Sequence, residues 1–234
     1  MDHLVDWSFR ITSGDGFPGE AIQAMEYLNE RFGVSHFAVM PEYDARRGSV
    51  PLFLLGLEQY EDRLREKLPT HLKIKLVPRV YLSQGLSETE HLNRLSFGKD
   101  RYLALQLPWG DYNGWMDREL HRLLYDHRFR LLLTSCELYS TFYPKEIVEK
   151  LFRIPHAVYQ FHFRALDDAA LCRQISSILA QNKTVLLGTS SNSLGKLLQH
   201  DLSDYQKAAT DHLSVADCQR LLHQSRAFWN LPQR

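Results

Sequence analysis

Carboxylates, hydroxyls and arginines stand in this sequence at the ends of short apolar runs, where parallel α/β folds assemble their chemistry. Asp6 and Ser8 lie in the first run, LVDWSF, and Asp15 follows in the turn Gly14-Asp15-Gly16. The run HFAVM leads into Pro41-Glu42-Tyr43-Asp44 and then Arg46-Arg47. Arg79 and Tyr81 close the third run, Gln106-Leu107-Pro108-Trp109 the fourth and Thr134-Ser135-Cys136-Glu137 the fifth. His162 and Arg164 follow the sixth, and Thr189-Ser190-Ser191-Asn192-Ser193 the seventh.

Two kinds of chemistry are open to this set. Asp6, Asp15, Glu42 and Glu137 can supply an oxygen-only site of the sort that a hard cation such as Mg²⁺ accepts while keeping several waters. The plainer reading, which we favour, is that these carboxylates cap turns and helix starts. Arg46, Arg47 and Arg79 can hold a phosphate or a phosphotyrosine, because guanidinium forks suit that oxyanion. Against this, Arg46 and Arg47 read as a solvated basic loop. For Arg79 a phosphate role and a salt bridge to a nearby carboxylate stand side by side.

Other reactive types carry less. Cys136 sits beside Glu137, but no Cys-x5-Arg loop accompanies it, so a buried structural thiol is expected. His162 is expected to be a hydrogen-bonded core histidine. The remaining histidines are scattered, and no H-E-x-x-H pair occurs. Trp109, Tyr112 and Trp115 occupy the loop after the fourth run, where they either line a mouth or pack the loop, the second being favoured.

The elements that must position these residues follow from periodicity. Strands are expected at Leu4 to Phe9, His36 to Met40 (cut off by Pro41), Leu72 to Tyr81, Tyr102 to Leu107, Phe129 to Thr134, Ala157 to Phe163 and Thr184 to Gly188. Helices are expected at Pro18 to Phe32, stopped by Gly33, and at Pro51 to Leu68, Asp117 to Asp126, Pro144 to Phe152 and Asp167 to Gln181, with a helical tail from Ser203. About seven strand–helix units in a row argue for a parallel sheet, since parallel strands need helical crossovers.

The bulk properties narrow the partners. The 234 residues carry 28 Lys+Arg against 28 Asp+Glu and are 44% hydrophobic, which excludes a disordered or low-complexity chain. A net charge of zero gives no general pull toward nucleic acid or an anionic membrane. The three cysteines, Cys136, Cys172 and Cys218, form no close pair, which suits a reduced interior. No apolar run reaches the ~20 residues that a membrane span needs, and MDHLVDWSFR lacks a signal-peptide core. A cytoplasmic protein with residues 1–234 in one domain is expected.

The order and spacing of the strand ends resemble the PHP (polymerase and histidinol phosphatase) superfamily, in its branch of bacterial tyrosine-protein phosphatases from capsular and exopolysaccharide clusters. The resemblance runs from Leu4 to about Pro232. Asp6-Trp7-Ser8 stands in the place of the family's His-x-His, with Gly14-Asp15-Gly16 at the expected distance; Met40-Pro41-Glu42-Tyr43 matches its Thr-Pro-His-Tyr. Arg79 falls at a Glu ligand, Gln106-Leu107-Pro108-Trp109 at Glu-Leu-Pro-Phe, Ser135-Cys136-Glu137-Leu138 at His-Pro-Glu-Arg, and Thr189-Ser190-Ser191-Asn192-Ser193 at Ser-Asp-x-His-Asn.

The resemblance implies a distorted (β/α)7 barrel. In the family a cluster of divalent metals activates water for attack on a phosphotyrosine ester. Here Asp6, Ser8, Glu42, Arg79, Gln106, Ser135, Ser190 and Asn192 occupy the matched ligand positions, and only Asp6 and Glu42 are carboxylates. A permanent cation at Arg79 would repel such a cluster. The expectation is therefore a degenerate, catalytically inactive phosphatase homologue that acts by binding. No tightly bound cofactor is expected beyond a weakly held Mg or Mn ion. The implied setting is capsule or exopolysaccharide control, with the tyrosine-rich tail of a bacterial tyrosine kinase as a partner. The alternative is an active metal-dependent hydrolase with a remodelled site at Asp6, Asp15, Glu42 and Glu137.

Overall fold

The computed structural model describes residues 4–11, 18–190, 194–198, 207 and 209–231. The chain runs β1 (Leu4–Ile11), α1 (Pro18–Phe32), β2 (Val34–Tyr43), α2 (Val50–Lys67), β3 (Lys73–Leu76) and β4 (Arg79–Tyr81). It continues through β5 (Tyr102–Gln106), α3 (Gly114–His121), β6 (Arg130–Leu133), α4 (Tyr139–Phe142) and α5 (Lys145–Leu151). The last elements are β7 (Val158–His162), α6 (Ala169–Ala180), β8 (Thr184–Gly188), α7 (Leu194–Leu198) and α8 (Val215–Trp229).

The local signals explain most of these elements. Gly33 adopts φ 70° and donates its N–H to the Asn29 carbonyl at 2.9 Å, ending α1 in a left-handed turn that a side chain would strain. Asp168 caps α6 by accepting from the backbone N–H groups of Ala170 and Leu171 at 2.7 and 3.2 Å. That helix then buries Cys172, Ile175, Ile178 and Leu179, a stripe at helical spacing.

Every strand pairing is parallel, and the main path is β1-β2-β4-β5-β6-β7-β8, with β3 paired to β2 outside it. β8 returns beside β1, where the Thr189 N–H reaches Asp6 Oδ1 at 3.0 Å. The result is a nearly closed barrel of seven strands, the architecture that the family resemblance implied. Two expected strands change. Pro41 does not end β2, which runs on to Tyr43 and pairs Glu42 with Arg79; a proline removes one donor, and the residues beyond it still carry the ladder. Leu72 to Tyr81 is two strands, because Val77-Pro78 breaks the run between β3 and β4. Of the helical tail from Ser203, residues 203–206 lie outside the described residues and α8 covers Val215–Trp229.

Side-chain alternation divides the core in two. Phe37, Val39, Leu103, Leu105, Leu131 and Leu133 pack with the helices. Val5, Trp7, Ala38, Met40, Ala104, Leu132 and Leu186 form a second cluster with Phe228 and Trp229 of α8. Trp7 meets Phe228 and Trp229 edge-on at 5.0 and 5.9 Å between ring centroids and donates Nε1–H to Ser225 Oγ at 2.9 Å. His36 near the start of β2 also meets Trp229 edge-on, and Lys75 donates to the Trp229 carbonyl. α8 thereby closes the barrel at the amino ends of the strands, leaving the carboxyl ends as the mouth. No helix among the described residues is long and apolar enough to cross a membrane.

Candidate functional site

Three adjacent strand ends, β2, β4 and β5, open into one cavity of about 550 Å³. Its walls hold Glu42, Asp44, Arg46, Arg47, Arg79, Tyr81, Gln106 and Trp109, with Ser49, Leu52 and Phe53 from the start of α2. Register brings the first of these together: Glu42 is paired with Arg79 across β2–β4, and Tyr81 with Gln106 across β4–β5. Partners in a parallel ladder share a face, so Glu42 and Arg79 must meet. Arg79 Nη2 donates to Glu42 Oε1; the guanidinium side chain is 1% exposed and the carboxylate side chain 55%. Of the two readings open for Arg79, the salt bridge to a nearby carboxylate is present.

The lip beside this pair is also cationic. Arg46 donates Nε–H to Asp44 Oδ1 at 2.9 Å and Nη2–H to Oδ2 at 2.7 Å, a two-point clasp. Its guanidinium lies 5.1 Å from the centroid of the Tyr81 ring. The hydrogen bond from Arg46 holds the Asp44 carboxyl below its ordinary range. Arg47 stands 3.7 Å from Asp44 and points into solvent. The basic loop of the sequence is solvated as expected, but Asp44 and Tyr81 orient one of its arginines along the cavity wall.

Beneath the mouth lies a buried layer of amides and hydroxyls. Gln106 Oε1 accepts from Thr134 Oγ1 and Ser135 Oγ, both at 3.2 Å, while its Nε2 donates to the Leu107 carbonyl at 3.1 Å. Gln160 repeats the pattern: Nε2 donates to the Phe161 carbonyl at 2.7 Å, and Oε1 accepts the Ser135 N–H at 3.0 Å. Gln160 escaped the sequence reading; its signal was a single amide inside the apolar run AVYQFHF. Ser135 and Ser190 have φ of 56° and 50°, left-handed values that serine adopts at a cost of about 1–2 kcal/mol each. Their surroundings over-determine both.

Asp6 and Ser8 belong to a different place, the β1–β8 seam. Asp6 accepts from the backbone N–H groups of Ser8 and Thr189, each at 3.0 Å, and from Thr189 Oγ1 at 2.6 Å. Burial pushes its carboxyl above the ordinary range, with the bonds from Thr189 and Ser8 pulling the other way. Ser8 Oγ lies 3.0 Å from Ser190 Oγ and accepts the Ser190 N–H at 3.0 Å. A Cβ on Gly188 would sit 2.5 Å from the Ser8 nitrogen and 2.8 Å from Asp6 Oδ1, so only glycine allows this approach.

The four carboxylates singled out in the sequence are thus engaged in separate tasks wherever they are described. Asp6 ties the seam, Glu42 faces Arg79, and Glu137 accepts the His162 N–H at 2.9 Å. Asp15 and Asn192 lie outside the described residues. Among the described residues, no group of three His, Cys, Asp or Glu side chains is placed to hold a metal ion. Cys136 is buried, its thiol pushed well up by desolvation; His162 is half-buried and not a core residue, and its Nδ1 accepts the Arg164 N–H at 2.9 Å. The aromatic loop divides: Tyr112 and Trp115 pack on the core, whereas Trp109 stays 58% exposed on the cavity wall.

Together these features define a parallel (β/α) barrel with a polar, arginine-lined mouth at the carboxyl ends of its strands. No protein-family model matches the chain, and no curated protein matches it. Among solved structures it is similar to one from the pair YwqE of Bacillus subtilis and CpsB of Streptococcus pneumoniae, described as unique metal-dependent tyrosine phosphatases. The superposition has a TM-score of 0.60 and 13% identity, and covers 99% of this chain and 97% of that one. The resemblance to the PHP tyrosine phosphatases read from the strand ends is therefore a likeness of fold over essentially the whole chain.

Proposed function

We propose that this barrel is a PHP-type phosphatase homologue that has lost hydrolysis and works by binding, with a phosphotyrosine-bearing tail as its ligand. The observation that carries this reading is the Arg79–Glu42 pair in the mouth cavity. A cluster of divalent cations needs imidazoles and carboxylates converging on one point. The described mouth has instead a buried guanidinium, the Gln106 amide and two carboxylates each engaged by an arginine, over a buried layer of Gln160 and serine hydroxyls. That donor set does not fit a multi-metal cluster, so no hydrolytic step is derived through one.

The same donor set suits an oxyanion. A phosphate entering the cavity meets three guanidiniums, Arg46, Arg47 and Arg79, against two carboxylates, Glu42 and Asp44. The excess positive charge lies in a concave site whose innermost guanidinium, Arg79, is buried, and charge-assisted bonds to an oxyanion are the stronger kind. Tyr81, beside Arg46 on the cavity wall, offers an aromatic ring for the phenyl group. The setting we propose is control of tyrosine phosphorylation in bacterial capsule or exopolysaccharide export, in the cytoplasm, with the tail of a tyrosine kinase as the partner; the fold likeness itself is to metal-dependent tyrosine phosphatases.

Metal analysis of the purified protein, together with a phosphotyrosine-peptide hydrolysis assay in Mn²⁺, tests this reading. Binding of the peptide without turnover is the expected result. Stoichiometric metal, or steady hydrolysis abolished by Asp6→Ala and Glu42→Ala, would overturn it in favour of an active hydrolase with an oxygen-rich site.

A further inference from the structure

The mouth cavity is charged within and apolar at its rim. Leu52 and Leu55, 67% and 53% exposed, stand one turn apart near the start of α2, and Leu52 lines the cavity. Trp109, also lining it, is stacked on Phe142 with centroids 6.4 Å apart and planes 11° from parallel. Single exposed apolar residues on a surface are ordinary. Here two of them, Leu52 and Trp109, share one concavity with three arginines, and Leu55 and Phe142 extend the apolar surface outward.

A free phosphotyrosine engages the arginines and leaves this rim wet. An extended peptide covers both. We propose that the mouth selects phosphotyrosyl peptides by the residue next to the phosphotyrosine: the phosphate goes to the arginine wall, and an adjacent leucine, valine or phenylalanine rests on Leu52, Leu55 and Trp109. Charge complementarity sets the phosphate end, and the exposed rim sets the apolar end. This inference rests on the binding reading above and adds to it the identity of the flanking residue.

The test is fluorescence anisotropy with two labelled phosphotyrosyl hexapeptides that differ only in a leucine or a serine beside the phosphotyrosine, each titrated with the full chain. Covering part of a leucine side chain corresponds to binding about five- to tenfold tighter for the leucine peptide. In the Leu52→Ser, Trp109→Ala double variant, checked for an intact fold by circular dichroism, that preference disappears. The single variant Leu55→Ser, outside the cavity wall, reduces it. Equal affinity of the native chain for both peptides, or a preference that survives in the double variant, overturns the inference while leaving the binding reading standing. Failure of both peptides to bind overturns both readings.

Discussion

Arg79 lies directly across the β2–β4 ladder from Glu42, and the pair is lopsided: the cation is 1% exposed, the anion 55%. Desolvation therefore falls on the arginine, while water can still serve the glutamate. Removing the two partners should have unequal consequences. Glu42→Gln removes the carboxylate charge facing a buried guanidinium and should cost about 1–3 kcal/mol, at the low end for a pair with one wet partner. Arg79→Met leaves a glutamate that solvent can hydrate and an apolar chain of similar reach, at a cost under about 1 kcal/mol. Urea denaturation of both variants checks the order, and Arg79→Met should also lose phosphotyrosine-peptide affinity.

Asp6 makes a prediction about pH. Its folded-state carboxyl titrates above the unfolded value, because burial outweighs the hydrogen bonds from Thr189 and Ser8. The folded state thus binds the proton more tightly than the unfolded chain, so stability is highest below the unfolded value and declines as pH rises through the raised one. Asp6→Asn removes this slope. Its Oδ1 can still accept the two backbone N–H groups, and Nδ2 can donate to Thr189 Oγ1. Denaturation curves across about pH 4 to 8 should show the wild type losing stability relative to Asp6→Asn as pH rises. A steeper decline in the variant would refute the account.

Gly188 tests the closeness of the seam by sterics alone. A Cβ placed 2.5 Å from the Ser8 nitrogen meets backbone, which cannot swing aside as a flexible side chain would. Gly188→Ala should destabilise by about 1–3 kcal/mol or more. The pairing Gly188→Ala with Ser8→Gly should recover only part of the loss, since it removes the Ser8 Oγ contact and leaves the main-chain contact at 2.5 Å. Thermal melts of the two variants decide it.

The closure of the barrel by α8 predicts a large effect far from the mouth. Trp229 contacts Trp7 and His36 edge-on and accepts from Lys75 through its carbonyl. Trp229→Ala should cost about 3–5 kcal/mol through the cavity it leaves. It should leave the affinity of still-folded protein for a phosphotyrosyl peptide unchanged, because the mouth lies at the opposite strand ends. A binding loss without a stability loss would contradict this division of the barrel.

Strand and helix identities were legible wherever a run had one period and clear ends. The amphipathic helix at Pro18–Phe32 and the buried run at Thr184–Gly188 match their elements residue for residue. Among helices, the short α4 and α7 were missed, and the helix expected at Asp117 to Asp126 begins at Gly114 and ends in a π-helical turn; among strands, the departures came at prolines. Pro41 looked like a strand end yet lies inside β2, whereas Pro78 does separate two strands. Local chemistry is the same at both positions; which neighbouring strand continues the ladder differs, and that is a property of the sheet.

The amino-acid sequence by itself determined the alternation of strands and helices in a parallel sheet, because period, length and residue type are local quantities; the barrel and the loss of imidazoles at its strand ends were implied by the family resemblance. Grouping was decided only in three dimensions. Asp6 and Glu42 look equivalent along the chain, yet one is sealed into the β1–β8 seam and the other faces Arg79 in an open cavity. Gln160, silent as a motif, joins Ser135 and through it Gln106 under the mouth. Register and barrel closure bring such residues within hydrogen-bonding reach, and both are set by packing across the whole sheet, which no short stretch of sequence encodes.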